Sequence, residues 1–216
     1  TSASDGDRKT MTVTGETTLA LDDEHVDGRT LRRTRNRDAV IVSLLDIVRE
    51  GDLHPGASEI ADRAGVSHRS IFRYFDDLDD LVRTSIDHAF VEARPLTEIP
   101  DIGTGRVAER IAAFVDARIT LFEHVDGTMQ LARIRAHSIP AIDEGIARTA
   151  ELFRTQIAAH FERELADMSN QQRSQLIDGI LVLTSYDSFT IHIRLLGNDV
   201  EQMREAWVAA VTAILS

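Results

Sequence analysis

The stretch EIADRAGVSHRSIFRYF, Glu59 to Phe75, constrains this chain more than any other. It reads as two short helices on either side of a glycine. A helix of two turns cannot hold itself together in water, so its fold must come from what packs behind it. Ala57 to Ala64 forms the first helix, and Gly65 ends it at a positive φ that glycine adopts without strain. Ser67 is placed to cap the second, His68 to Phe75. Two short helices joined by such a turn form a helix-turn-helix, and the packing demands of that motif are met position by position. Ile60 and Val66 are apolar where the pair faces its core, Ala61 is small where the helices cross, and Ile71 and Tyr74 point back from the second helix.

The flanking sequence extends this unit. A helix begins at Leu31, with Val40, Leu44, Ile47 and Val48 as its apolar stripe and Gly51 as its stop. After His54-Pro55-Gly56 and the two short helices, Asp76 or Asp77 caps a further helix carrying Leu78, Leu81, Val82, Ser85, Ile86, Ala89 and Phe90 to about Arg94-Pro95. Residues 96–105, with Pro100, Gly103 and Gly105, have the composition of a linker. Residues 1–30 are polar, acidic and without apolar periodicity, and are expected to form a disordered arm. Beyond the linker, helices are expected over roughly 106–126, 128–138, 140–167, 170–197 and 199–215, with Pro140 in a first turn. The expected fold class is all-α: a three-helix helix-turn-helix domain over 31–95 and a helical domain over 106–216. The segment 176–196 is apolar on more than one face, which implies a partner subunit against the end of the chain.

Charge distribution matters more than its sum. The net charge of −12 argues against a general coat for nucleic acid, yet five arginines (29, 32, 33, 35 and 37) stand against one aspartate between Arg29 and Asp38. The absence of cysteine removes disulfides, thiolate metal sites and thiol nucleophiles. The eight histidines form no His-x-x-x-His pair, so no metal site is expected. Gly103-Thr104-Gly105 follows no strand and is not a nucleotide loop, so no cofactor is expected either. Neither a nucleophile nor an acid–base cluster marks an enzyme. No apolar run approaches the ~18 residues of a membrane span, and no secretion signal is legible, so the expectation is a cytoplasmic protein without a membrane partner.

The segment from Arg35 to Ala89 resembles the DNA-binding domain of the tetracycline-repressor (TetR) family. The likeness is carried by Glu59-Ile60-Ala61, Ala64-Gly65-Val66-Ser67, Ile71-Phe72-Arg73-Tyr74-Phe75 and Leu81. It implies that the second short helix is a recognition helix for the major groove of a DNA operator. Arg69 at its exposed N-terminal part is then the leading base contact, since a guanidinium fork pairs with guanine O6 and N7. Ser67, His68 and Ser70 lie beside it. Tyr74, Ser58 and Arg73 fall where phosphate contacts are expected. Two departures stand out. Phe72 replaces a usual tyrosine, and Asp76, Asp77, Asp79 and Asp80 surround Leu78 where a lysine is usual. Arg32, Arg33, Arg35 and Arg37 must then supply the compensating attraction to DNA, for example as an arm in the minor groove.

The resemblance further implies a homodimer through the last two helices (about 170–216) and a small-molecule effector held by residues 106–170. Phe114, Arg118, Phe122, Met129, Arg133, His137, Phe153, Tyr186 and Phe189 mix apolar bulk with a few polar heads and are the candidate pocket. They suit a hydrophobic or aromatic ligand, one with a negative charge if an arginine meets it. The reading is a ligand-responsive repressor binding a palindromic operator. Its rivals are an architectural regulator without an effector, marked by a filled core, and a helical protein that has lost DNA binding.

Overall fold

A computed structural model describes Thr1 and residues 28–216, and every described element is helical. The expected disordered arm lies outside the described residues, apart from Thr1 and from its last three, which are helical. Helix α1 (Gly28–Arg49) starts at Gly28, three residues before Leu31, and buries nothing before Val40. Its first two turns therefore project from the domain and carry Arg32, Arg33 and Arg35 exposed.

Helices α2 (Ala57–Arg63), α3 (His68–Tyr74) and α4 (Leu78–Ala93) complete the helix-turn-helix domain. The turn forms as the residue types demand. Gly65 sits at φ 66°, and Val66 returns its N–H to the Ala61 carbonyl at 3.0 Å. Ser67 Oγ accepts from the Ser70 N–H. Asp77 caps α4 by accepting from Asp80 N–H at 2.7 Å, while Asp80 accepts in turn from Asp76 N–H. Ile60, Ile71, Phe75, Leu81 and Ile86 close the core beneath α1.

A 3₁₀ turn at Arg94–Thr97 leads through a segment with Gly103 and Gly105 at positive φ into α5 (Val107–Ala136). The expected break near residue 127 does not occur: α5 is one helix of 30 residues. Gly127 is there for another reason. A Cβ at that position would stand 3.0 Å from the Val48 carbonyl oxygen, so only glycine lets α5 pass this close to the end of α1. The last turns of α5 thus belong to the first domain. Leu131 and Ala132, with Ile139 and Ile142 beyond them, join the core of the helix-turn-helix.

The other core is built by α5, α6 (Pro140–His160), α7 (Glu162–Leu165), α8 (Asn170–Leu183), α9 (Tyr186–Thr190) and α10 (Val200–Leu215). Two expected long helices are interrupted. The first breaks at Phe161, which is fully buried in a non-helical conformation. The second breaks at Thr184-Ser185, where hydroxyls compete with the helix ladder: Thr184 Oγ1 donates to the Ile180 carbonyl and Ser185 Oγ caps α9. After α9 the chain makes one π-helical turn, Ile191–Leu195, before α10.

Candidate nucleic-acid interface

The recognition element is built by one-sided burial. Of α3 only Ile71 is fully buried, with Phe75 just beyond it, and these two anchor the helix to α1 and α4. The opposite side is open: Ser67, Arg69, Ser70, Phe72 and Arg73 line a shallow concave face. His68 and Arg69 are exposed, and the His68 ring meets the Phe72 ring edge-on at 5.1 Å. Phe72 is 46% exposed, so it offers an apolar surface where a tyrosine would offer a hydroxyl. Ser58 is exposed in the first turn of α2, on the approach to the same face.

Around Tyr74 the structure assembles a polar cluster from two helices far apart in sequence. Arg73 Nη2 donates to the Tyr74 hydroxyl at 2.8 Å, and Asn36 Nδ2 of α1 donates to it at 3.5 Å. Both use the oxygen's lone pairs, which leaves the hydroxyl proton to donate outward to a phosphate oxygen. The Asn36 hydrogen bond holds the Tyr74 pKa below its ordinary value; Arg73, and Arg33 through its charge, act in the same direction. Asn36 was not among the residues singled out from sequence, because it pairs with a residue 38 positions away.

Arg32, Arg33 and Arg35 would reach DNA as side chains of a helix, since all of them lie on α1 rather than on an extended arm. Arg37 is turned differently. Its guanidinium lies 5.1 Å over the Phe75 ring, half-buried, where its charge also acts on Asp80. It braces α1 against the end of α3.

Two of the four aspartates carry a counter-charge within the fold, and a third caps a helix. Asp80 pairs with Arg83 at 2.6 Å, Asp79 with Arg135 of α5 at 3.3 Å, and Asp77 and Asp80 cap the start of α4. Three of the four carboxylates therefore have partners, and the repulsion presented to a DNA backbone is smaller than the bare count suggests.

The candidate pocket residues fall into two groups. Phe122 touches Phe153, Tyr186, Phe189 and Trp207 at centroid distances of 6.5, 5.8, 5.9 and 6.5 Å, a filled aromatic cluster. Tyr186 donates to the Asp126 carboxylate at 2.7 Å, and burial together with that carboxylate pushes its pKa well above the ordinary range. Phe114 and Arg118 are buried beside this cluster, and Met129 is half-buried against it. Arg133 and His137 are not with them. Because α5 is continuous, its last turns leave the second core; Arg133 is exposed and paired with Asp187 at 2.6 Å, and His137 is exposed at the helix end. Sequence reasoning missed Trp207 and Gln156, both of which touch this group. Trp207 could have been found as the bulkiest apolar residue on the buried stripe of α10. No group of three or more histidine or carboxylate side chains able to hold a metal exists among the described residues. Nor is any described helix long and apolar enough to cross a membrane.

A short helix displayed on three supporting helices, with a second helical domain behind it, is the architecture of a helix-turn-helix domain joined to a helical companion. Residues 54–84 match the family described as bacterial regulatory proteins, tetR family. A solved structure of a transcriptional regulator from Rhodococcus sp. Rha1 superposes with a TM-score of 0.62 at 19% identity, covering 85% of this chain and 95% of that one. The multidrug binding protein EbrR, complexed with imidazole, superposes with a TM-score of 0.57 at 18% identity, covering 88% and 92%. These likenesses establish the shared fold. No curated protein matches the chain in sequence. The helix-turn-helix segment thus matches the tetR-family motif, and the whole chain shares the fold of these regulators.

Proposed function

We propose that the protein is a ligand-responsive repressor, cytoplasmic and homodimeric, that binds a palindromic operator and is released by a small, mainly hydrophobic ligand. The observation that carries the DNA-binding part is the one-sided burial of α3, with Ile71 inward and Ser67, Arg69, Ser70 and Arg73 outward. Arg69 reads a base; His68 and Ser70 assist it; Tyr74, Arg73, Ser58 and the α1 arginines hold phosphates and set the register.

Dimerisation is supported by the end of the chain. On α8, Leu176, Gly179 and Val182 form an open stripe, Val182 is 69% exposed, and a Cβ built on Gly179 meets nothing within 4 Å. Leu176 and Gly179 line a hollow together with Ile214 of α10. An apolar stripe with a glycine at its centre suits close approach by the same helix of a second copy. A two-fold dimer would hold its recognition helices about 34–36 Å apart, one turn of DNA.

The effector part rests on Phe114, Arg118, Phe122, Met129, Phe153, Tyr186 and Phe189 around one core. The filled aromatic cluster favours a second reading, a regulator without an effector. The buried arginine beside that cluster favours the first.

Selection of bound duplexes from a random DNA pool, followed by salt titration of the winner, tests the proposal. A palindromic winner whose affinity falls steeply with salt is expected. No enrichment at low salt would end the DNA-binding reading of α3.

A further inference from the structure

The cationic side chain at the heart of the second domain has no counter-charge. Arg118 is 1% exposed, on α5. Its guanidinium lies 3.6 Å from the ring centroid of Phe153 and 5.1 Å from that of Phe114, so two aromatic rings flank the charge. Nη2 donates to Gln156 Oε1 at 2.9 Å, while Nη1 is buried without any hydrogen-bond partner. Among the described residues no carboxylate lies within ion-pairing distance of it.

The same helix displays the contrasting case. Arg110, two turns earlier and 3% exposed, is forked onto Glu164 and also donates to the His160 carbonyl. The fold thus supplies a carboxylate where a buried arginine serves structure. At Arg118 it supplies two rings, an amide oxygen and an open donor. Burial lowers the Arg118 pKa to about 9, which still leaves it charged at neutral pH. A buried cation left so is costly, and such cost persists where function requires it.

We propose that Arg118 is the anion-binding group of the effector site, and that the effector is a small carboxylic acid with an aromatic or aliphatic body. The carboxylate would take the free Nη1 and displace Gln156 from Nη2 to form a two-point fork. The apolar body would lie along Phe153 and Phe122, whose rings must part to admit it. Gln156 supplies a route outward: its Nε2 donates to the Thr97 carbonyl at 2.8 Å, in the 3₁₀ turn that ends α4. This inference rests on the ligand-responsive reading above.

The test uses the full chain, without DNA, in calorimetry against two series, straight-chain acids from butyrate to decanoate and phenyl acids from benzoate to 4-phenylbutyrate, each beside its neutral amide. At least one acid is expected to raise the melting temperature and to bind about 10–100-fold more tightly than its amide, the span expected when hydrogen bonds to a charged group are lost. R118M is expected to lose that response while melting no lower than the wild type, because it removes an uncompensated buried charge. A response to acids that survives in R118M overturns the proposal, as does equal binding of acid and amide, or no acid that binds. R118K keeps the charge without the fork and serves if R118M does not fold. It should bind the acid about tenfold more weakly, and unchanged affinity overturns the proposal. DNA release, measured separately on the selected duplex, separates the two readings. An acid that binds through Arg118 yet leaves DNA affinity unchanged sustains the site and refutes the ligand-released repressor. Release by a neutral compound, with no acid binding, does the reverse.

Discussion

Glu164→Gln is the substitution whose consequence the structure determines most fully. Arg110 is 3% exposed and Glu164's side chain 17% exposed, so the pair is mostly withdrawn from water. Nη1 donates to Glu164 Oε2 at 2.9 Å and to the His160 carbonyl at 2.6 Å, and Nη2 completes the fork on Oε1. Replacing the carboxylate by an amide keeps the shape and one acceptor but leaves the buried guanidinium without its counter-charge. Breaking a buried pair in this way costs about 3–5 kcal/mol; the surviving carbonyl contact and the partial exposure of Glu164 place this case near 3. For a chain of this size, about 3 kcal/mol lowers the melting temperature by roughly 6–12 °C. The pH dependence carries a second signature. The Arg110 hydrogen bond holds the Glu164 pKa below 4.5, so its contribution is fully present above that value and is lost as pH falls through the lowered folded-state pKa. The acid side of the melting-temperature profile should therefore flatten in E164Q. Scanning calorimetry between pH 3 and pH 8, about the span where carboxylates titrate, measures both effects. A fall of less than about 2 °C at neutral pH, or an unchanged acid limb, would refute the idea that this pair holds α5 to α7.

Three further substitutions probe the interface and its support. Arg69→Ala should weaken binding to the selected operator by about 1–3 kcal/mol and relax the preference at one base pair per half-site; fluorescence anisotropy against single-base operator variants detects this, and an equal loss on all variants would make Arg69 a phosphate contact. Tyr74→Phe removes only the hydroxyl that Arg73 and Asn36 orient, so affinity should fall by about 1 kcal/mol for every duplex with the salt slope retained. Gly127→Val should destabilise by about 1–3 kcal/mol in denaturant melts, since even a Cβ would stand 3.0 Å from the Val48 carbonyl oxygen; a stabilised variant would mean that α1 and α5 are free to separate.

What the sequence made legible follows the range of the forces involved. The helix-turn-helix was readable because its demands are local: a glycine at positive φ, a serine cap, and apolar residues at Ile60 and Ile71 are fixed by neighbours within a few residues. The continuity of α5 was not, since Gly127 looks like a breaker until the Val48 carbonyl beside it is known. The break at Thr184-Ser185 carries a weak local signal in its paired hydroxyls, whereas at Phe161 the partners are distant in sequence: the ring is buried and Arg110 of α5 takes the His160 carbonyl. For the interface, residue types sufficed to nominate Arg69 and Tyr74, but Asn36 required the fold. In the pocket, apolar bulk was recognisable, and Arg133 and His137 went astray because their placement depended on where one helix ended. Nothing in the residue pattern distinguishes Arg110 from Arg118; only their partners do.

Those partners bear on how the two domains could communicate. Arg118 and Gly127 sit nine residues apart on α5, about 13 Å along a helix of uniform rise. Beyond Gly127 the same helix contributes Leu131 and Ala132 to the core beneath the helix-turn-helix. A rigid element therefore runs from the buried cation to the support of α3 without an intervening hinge. In parallel, Gln156 ties Arg118 to Thr97, directly behind α4. The proposed ligand would part Phe153 of α6 from Phe122 of α5, and Ile142 near the start of α6 belongs to the helix-turn-helix core. Close-packed cores respond to such a shift by moving as blocks rather than by deforming smoothly. Any rotation of the helix-turn-helix about the α1–α5 contact would change the separation of two recognition helices in a dimer, and DNA tolerates little error in that spacing.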